Sequence, residues 1–128
     1  FDFGEWNGLS LQDVKGRYSE VFAVWAERPQ EARIPGGETL DGVTERAMSV
    51  VTEVVKKHQA PVVLVSHRVV NKVLILALLG LDNSRFWSVK VDTAGITIFD
   101  YDKGRFVLTK HNDTSYLEPL RKAPLGDF

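Results

Sequence analysis

The sequence predicts an α/β fold with a parallel central sheet, and three observations predict it. Val62 to Val65 are apolar without alternation, the pattern of a strand buried on both faces. That run passes through Ser66-His67 directly into a helical pattern, as strands do at the carboxyl edge of an α/β sheet. Helical stripes precede and follow the run. With 128 residues, the chain fits one domain, 1–128, large enough to bury a core.

Taken in order, Gly4 and Gly8 bracket Glu5-Trp6-Asn7, a loop. Ser10 with Asp13 forms a capping-box pattern, and Leu11, Val14, Tyr18, Val21, Phe22 and Trp25 recur at helical spacing. This helix should stop before Pro29, and 29–38, with Pro35-Gly36-Gly37, should be a connection. Leu40, Val43, Ala47, Val50, Val51, Val54 and Val55 mark a second helix, closed by Lys56, Lys57 and His58 at its negative end. Val69 to Leu79 predict a nearly all-apolar helix ended by Gly80, and Ser84 to Trp87 a short helical turn. Ile96, Ile98 and Tyr101, then Phe106 and Leu108, flank Asp102-Lys103-Gly104 as a β-hairpin, with an irregular tail from Asn112 onward. One mismatch remains: a strand buried on both faces needs neighbours on both edges, and the remaining strands make only a hairpin.

Composition excludes several classes of function. A net charge of −1 gives no basic footprint for nucleic acid or an anionic membrane. There is no cysteine, which excludes disulfides and thiol chemistry and fits the cytoplasm. The longest apolar run, Val73 to Leu79, is far too short to cross a bilayer, and no basic-then-apolar leader opens the sequence. Phe1-Asp2-Phe3-Gly4 opens without an initiator Met, and Met48 lies within a helix, so the sequence reads as starting in mid-domain.

The chemistry concentrates at 66–68. A helix amino terminus at a sheet's carboxyl edge suits a phosphate, and an imidazole there donates to a phosphoryl oxygen or moves a proton. Position alone leaves His67 either in that role or as a hydrogen-bonded structural residue. Arg68 is either a phosphate-binding cation or a helix-surface arginine. Ser66 lacks the Gly-x-Ser-x-Gly elbow of a nucleophile and reads better as an N-cap. His58 reads as solvated and His111 as structural, and the three histidines lack ligand spacing, so no metal site is expected. Trp6 is either a site lining or a packed loop anchor.

Together these segments resemble the histidine phosphatase superfamily, the phosphoglycerate-mutase-like enzymes. Asp2-Phe3-Gly4-Glu5-Trp6-Asn7-Gly8-Leu9 is similar to that family's Asp-Phe-Gly-x-Trp-x-Gly-Leu segment, and Pro35-Gly36-Gly37-Glu38-Thr39-Leu40 to its Pro-x-Gly-Glu-Ser-Leu turn. Val65-Ser66-His67 matches the second-histidine strand, Leu78-Leu79-Gly80-Leu81 the following helix end, and Asn112-Asp113-Thr114 the closing Asn-Asp-Thr. The resemblance implies a three-layer α/β/α arrangement with a mixed, mostly parallel central sheet, here incomplete at its amino-terminal strand. It also implies a phosphomonoesterase working through phosphohistidine without a cofactor. His67 would donate to the phosphoryl group as charge builds. Ser66, Arg68, Glu5, Trp6 and Glu38 are the expected substrate-binding residues, and the partner is a small phosphorylated molecule.

The sequence departs from the family at decisive places. It contains no Arg-His-Gly, the motif of the attacking histidine, and no counterpart of the second phosphate arginine. The family's acid falls just ahead of Phe1, and Arg68 replaces the glycine that commonly follows the histidine. The expectation is therefore a carboxyl-terminal portion that is inactive alone. The alternatives are a non-catalytic phosphate-binding or regulatory module, or one half of a two-chain enzyme. An open edge beside 62–65 suits strand exchange or a homo-oligomer.

Overall fold

The computed structural model describes residues 1–120. The fold is mostly helical. Helices α1 (Leu11–Arg17), α2 (Ser19–Glu27), α3 (Leu40–Lys57) and α4 (Arg68–Leu78) precede strands β1 (Ile96–Asp102) and β2 (Arg105–Asp113). Short 3-10 segments lie at Gly4–Trp6, Pro29–Glu31, Asn83–Ser88 and Ser115–Leu120.

Local chemistry sets the helix ends. Ser10 Oγ accepts the Asp13 N–H at 3.1 Å and donates to its carboxylate at 2.6 Å, starting α1 as the capping pattern predicts. The single helix expected through Trp25 is divided at Tyr18, whose φ of −128° leaves the helical region. Gly16 weakens the preceding turn, and the break carries the Tyr18 hydroxyl to Glu5, 2.8 Å away. Thr39 caps α3 by accepting the Gly42 N–H at 3.1 Å. Leu40, Val43, Ala47 and Val51 are buried on α3, and Val70, Val73 and Leu76 on the α4 it packs against. Each fully buried Leu, Val or Phe here contributes about 1.5–3 kcal/mol. Gly80, at φ +71°, ends α4.

The expected three-layer α/β/α arrangement with a mixed, mostly parallel central sheet is not formed. The sheet has two strands, β1 and β2, paired antiparallel. Lys103 and Gly104, at φ +48° and +83°, make a two-residue turn in the hairpin that the sequence places around Asp102-Lys103-Gly104. Residues 62–65 form no strand: Val63 is 84% and Val65 92% exposed. An apolar run states a preference for burial, whereas a strand is made by the backbone groups of a neighbour. Among the described residues no such neighbour reaches 62–65. The tail also begins later than expected, since β2 continues through Asn112 to Asp113 and a 3-10 turn follows. The tail beyond residue 120 lies outside the described residues.

The first loop is fastened to the 34–38 turn by backbone. Glu5 N–H donates to Pro35 O at 2.9 Å, and Glu38 N–H to Asp2 O at 2.9 Å. Glu38 returns the contact by accepting the Asp2 N–H at 2.7 Å, while Arg46 Nε and Nη2 hold its carboxylate at 2.8 and 3.0 Å. The approach needs glycine. A Cβ on Gly4, at φ +52°, would lie 2.2 Å from Pro35 O and 2.4 Å from Gly37 N.

Gly4→Ala is expected to cost roughly 2–4 kcal/mol, from the left-handed backbone and the backbone clash together. Gly16→Ala, in open space within α1, should instead add roughly 0.5–1 kcal/mol. Urea unfolding of both variants checks the contrast, and equal losses would remove the close approach as a constraint.

The Arg46 bonds and the Asp2 N–H hold the Glu38 carboxyl below its ordinary value of 4.5. A lowered folded-state value contributes stability above the unfolded one and loses it as pH falls through the folded one. Stability should therefore fall as pH drops below that ordinary value, and Glu38→Gln should flatten the decline. Asp2, Asp13, Asp82 and Asp113 are lowered too, so the flattening is partial. Melting temperatures of both proteins across this acid range test it, and parallel curves would exclude a Glu38 contribution.

Candidate active site

α4 begins immediately after His67, the residue at which the sequence places the chemistry. His67 occupies the N-cap position at φ −103°, ψ 157°, and its carbonyl accepts the Asn71 N–H at 2.9 Å as the first helical bond. Ser66, expected to cap, stands one residue earlier, and no side chain caps this end. The first-turn N–H groups are thus not taken up by a side-chain cap, at the end where the helix dipole favours an anion. His67 is exposed, and its imidazole makes no hydrogen bond among the described residues. Arg68, the first residue of α4, is half-buried.

Ser66, His67 and Arg68 all line one groove of about 2080 Å³. The first loop supplies Trp6 and Asn7 to the same groove, and the connection before β1 supplies Asp92 to Gly95. Trp6 is buried within a cluster of rings, stacked 6.4 Å from Phe3 and edge-on 6.5 Å from Trp25. Its indole Nε1 has no hydrogen-bond partner among the described residues. Asn7 donates to Asp2 Oδ1 at 2.7 Å. With the Gly4 N–H, that bond holds the Asp2 carboxyl below its usual range.

Glu5 and Glu38 stand elsewhere. Glu5 accepts from Tyr18, and Glu38 is held between Arg46 and the Asp2 N–H. Neither lines the groove. Of the six residues singled out in the sequence, the groove gathers Trp6, Ser66, His67 and Arg68.

Two residues at the groove have roles that the sequence reading does not give them. Lys72 lies in a helix read as apolar, yet it is 1% exposed and lines the groove one helical turn beyond Arg68. Its Nζ sits 4.8 Å from the centre of the Phe86 ring and 4.7 Å from that of Trp87, a cation over two aromatic faces. The i, i+4 spacing of Arg68 and Lys72 in an apolar helix is the signal that could have marked this face. The second feature is Asn112, whose side chain holds Asp92 through two bonds from the end of β2. No sequence signal pairs positions that far apart.

Among the described residues no three His, Cys, Asp or Glu side chains group so as to hold a metal ion. No helix among them is long and apolar enough to cross a membrane.

Residues 1–114 match the histidine phosphatase superfamily (branch 1). Phosphoserine phosphatase 1 of Hydrogenobacter thermophilus is 38% identical over 117 residues, 91% of this chain and 56% of that protein. The solved structure of YhfR from Bacillus stearothermophilus superposes with a TM-score of 0.85 at 27% identity, covering 91% of this chain and 59% of that one. A phosphoserine phosphatase of Entamoeba histolytica, solved with 3-phosphoglyceric acid, shares the fold with a TM-score of 0.70 at 24% identity, over 91% of this chain and 59% of that one. The chain therefore spans little more than half the length of these relatives. It belongs to the histidine phosphatase superfamily, branch 1.

Proposed function

We propose that this chain is the His67-bearing, carboxyl-terminal portion of a cytoplasmic phosphatase that forms phosphohistidine, and that it does not turn over alone. The observation that carries the reading is the exposed His67 at the start of α4, opening with Ser66 and Arg68 onto one groove. Two further facts support it: the sequence holds no Arg-His-Gly, and the match covers only 56% of the length of the Hydrogenobacter relative. The substrate is a small phosphomonoester, in keeping with relatives named as phosphoserine phosphatases. Phosphatase is favoured over mutase because the connection between α2 and α3 is short.

In the proposed reaction a histidine from outside this sequence attacks phosphorus. The ester P–O bond breaks, a carboxylic acid gives the leaving alcohol its proton, and water later cleaves the phosphohistidine. His67 donates an N–H to a non-bridging oxygen, and Arg68 adds positive charge to the same group. These groups are most useful where charge develops in the transition state, so their loss should lower turnover more than substrate affinity. The exposed 62–65 segment gives the two-chain reading its own support, because its backbone makes no hydrogen bond among the described residues and is open to pairing with a strand from another piece.

Hydrolysis of p-nitrophenyl phosphate by this chain, beside His67→Ala prepared identically, tests the reading. The expected result is no activity above that of the variant. Activity lost in His67→Ala would show that a nucleophile is present, and the incomplete-portion reading would fall. In the full-length protein His67→Ala should lower kcat about 10²–10³-fold, the usual loss for one oxyanion donor. An unchanged kcat there would remove His67 from the chemistry.

A further inference from the structure

One wall of the groove is strained and held in place from outside it. Gly95 N–H donates to Asp92 O at 3.1 Å, closing a four-residue turn across Thr93 and Ala94. Ala94, the third residue of the turn, has φ +61°, whereas Thr93 is not left-handed. That is the type II pattern, in which the third position favours glycine or asparagine. An alanine held there marks a conformation that its surroundings impose.

The restraint comes from beyond the hairpin. Asn112 Oδ1 accepts the Asp92 N–H at 2.8 Å, and Asn112 Nδ2 donates to Asp92 Oδ2 at 3.0 Å. Asn112 is itself left-handed at φ +50°, a conformation asparagine tolerates. It packs so closely that a Cβ on Gly95 would lie 2.2 Å from its Oδ1. The Tyr116 hydroxyl donates to the Ala94 carbonyl from the other side. Held this way, the turn leaves two backbone donors without a partner among the described residues. Neither the Thr93 N–H nor the Ala94 N–H makes a hydrogen bond among the described residues, and both residues are exposed and line the groove that holds His67.

We infer that Asn112 is a positioning residue, holding the Thr93–Ala94 turn so that its free N–H groups meet an anionic oxygen of the phosphorylated substrate bound at His67. The inference rests on the phosphate-site reading of the groove. Asn112 touches no substrate; it acts through the backbone it clamps. The turn spends no reorganisation on binding, because the left-handed Ala94 is already fixed.

Backbone amide shifts of this chain, followed by NMR during titration with inorganic phosphate against a chloride control, test the inference. In the wild-type chain the amides of Thr93 and Ala94 should shift along with those of His67 and Arg68. Asn112→Gly keeps a residue comfortable at positive φ and removes only the clamp. It should abolish the Thr93 and Ala94 response, retain that of His67 and Arg68, and weaken phosphate binding about tenfold, the scale of a lost bond to a charged group. Thr93→Pro is an independent variant: type II turns accept proline at that position, and it deletes one donor without touching the clamp. It should weaken binding while Asn112 stays paired, and it decides the matter if Asn112→Gly fails to fold. A wild-type response confined to His67 and Arg68, or unchanged affinity in the folded variants, would overturn this inference and leave the phosphate site standing. No response at any of the four amides would overturn both.

Discussion

The helical body closes on Trp25. Its ring lies 5.9 Å from Phe3, 6.5 Å from Trp6, 5.5 Å from Phe86 and 5.8 Å from Trp87, so one side chain of α2 touches both the first loop and the segment after α4. Its carbonyl also accepts the Trp87 Nε1 hydrogen at 3.0 Å. Trp87 and Phe86 in turn cover the ammonium of Lys72, so the chain of contacts runs from α2 to the face of α4 that carries Arg68. Large rings bury much area at small entropic cost, which makes them suitable for joining segments far apart in sequence. The backbone ladder between residues 2–5 and 35–38 completes this body, and it works only because Gly4 and Gly37 have no Cβ.

What was legible in the sequence follows from the range of each interaction. The stripe Leu40, Val43, Ala47 and Val51 announces α3 because helical hydrogen bonds close within four residues. Lys103-Gly104 announces the hairpin because two left-handed residues are a local requirement. The failure at 62–65 has the opposite cause. An unalternating Val/Leu run is consistent with a central strand, yet pairing is a property of the neighbour, which the run does not encode. The break at Tyr18 was missed for a similar reason: it is drawn toward Glu5, and the helical spacing of apolar residues continues across it.

The site divides along the same line. The place of His67 at the junction between an apolar run and a helix was readable, since the start of α4 is set locally, whereas position alone left its role open. Lys72 was not, because a lysine in an apolar helix looks like an error until Phe86 and Trp87 are seen around it. Glu5 and Glu38 show the reverse effect. They occupy loop segments that resemble the family, and their visible partners are Tyr18 and Arg46. Their carboxylates hold the loops that bring Trp6 to the groove, which is a contribution to the site made through structure.

His67 is positioned by α4 itself. Its position does not depend on the 62–65 segment that precedes it. α4 is fixed by Val70, Val73 and Leu76 against the core and by Lys72 beneath two rings, all downstream of the histidine. A segment as exposed as Val63 and Val65 can therefore gain a pairing partner without moving the start of α4. The groove's other wall is set by different bonds, those of Asn112 and Tyr116 to the 92–95 turn. The two walls of the groove therefore have independent supports, α4 and its aromatic cover on one side and the Asn112 and Tyr116 bonds on the other.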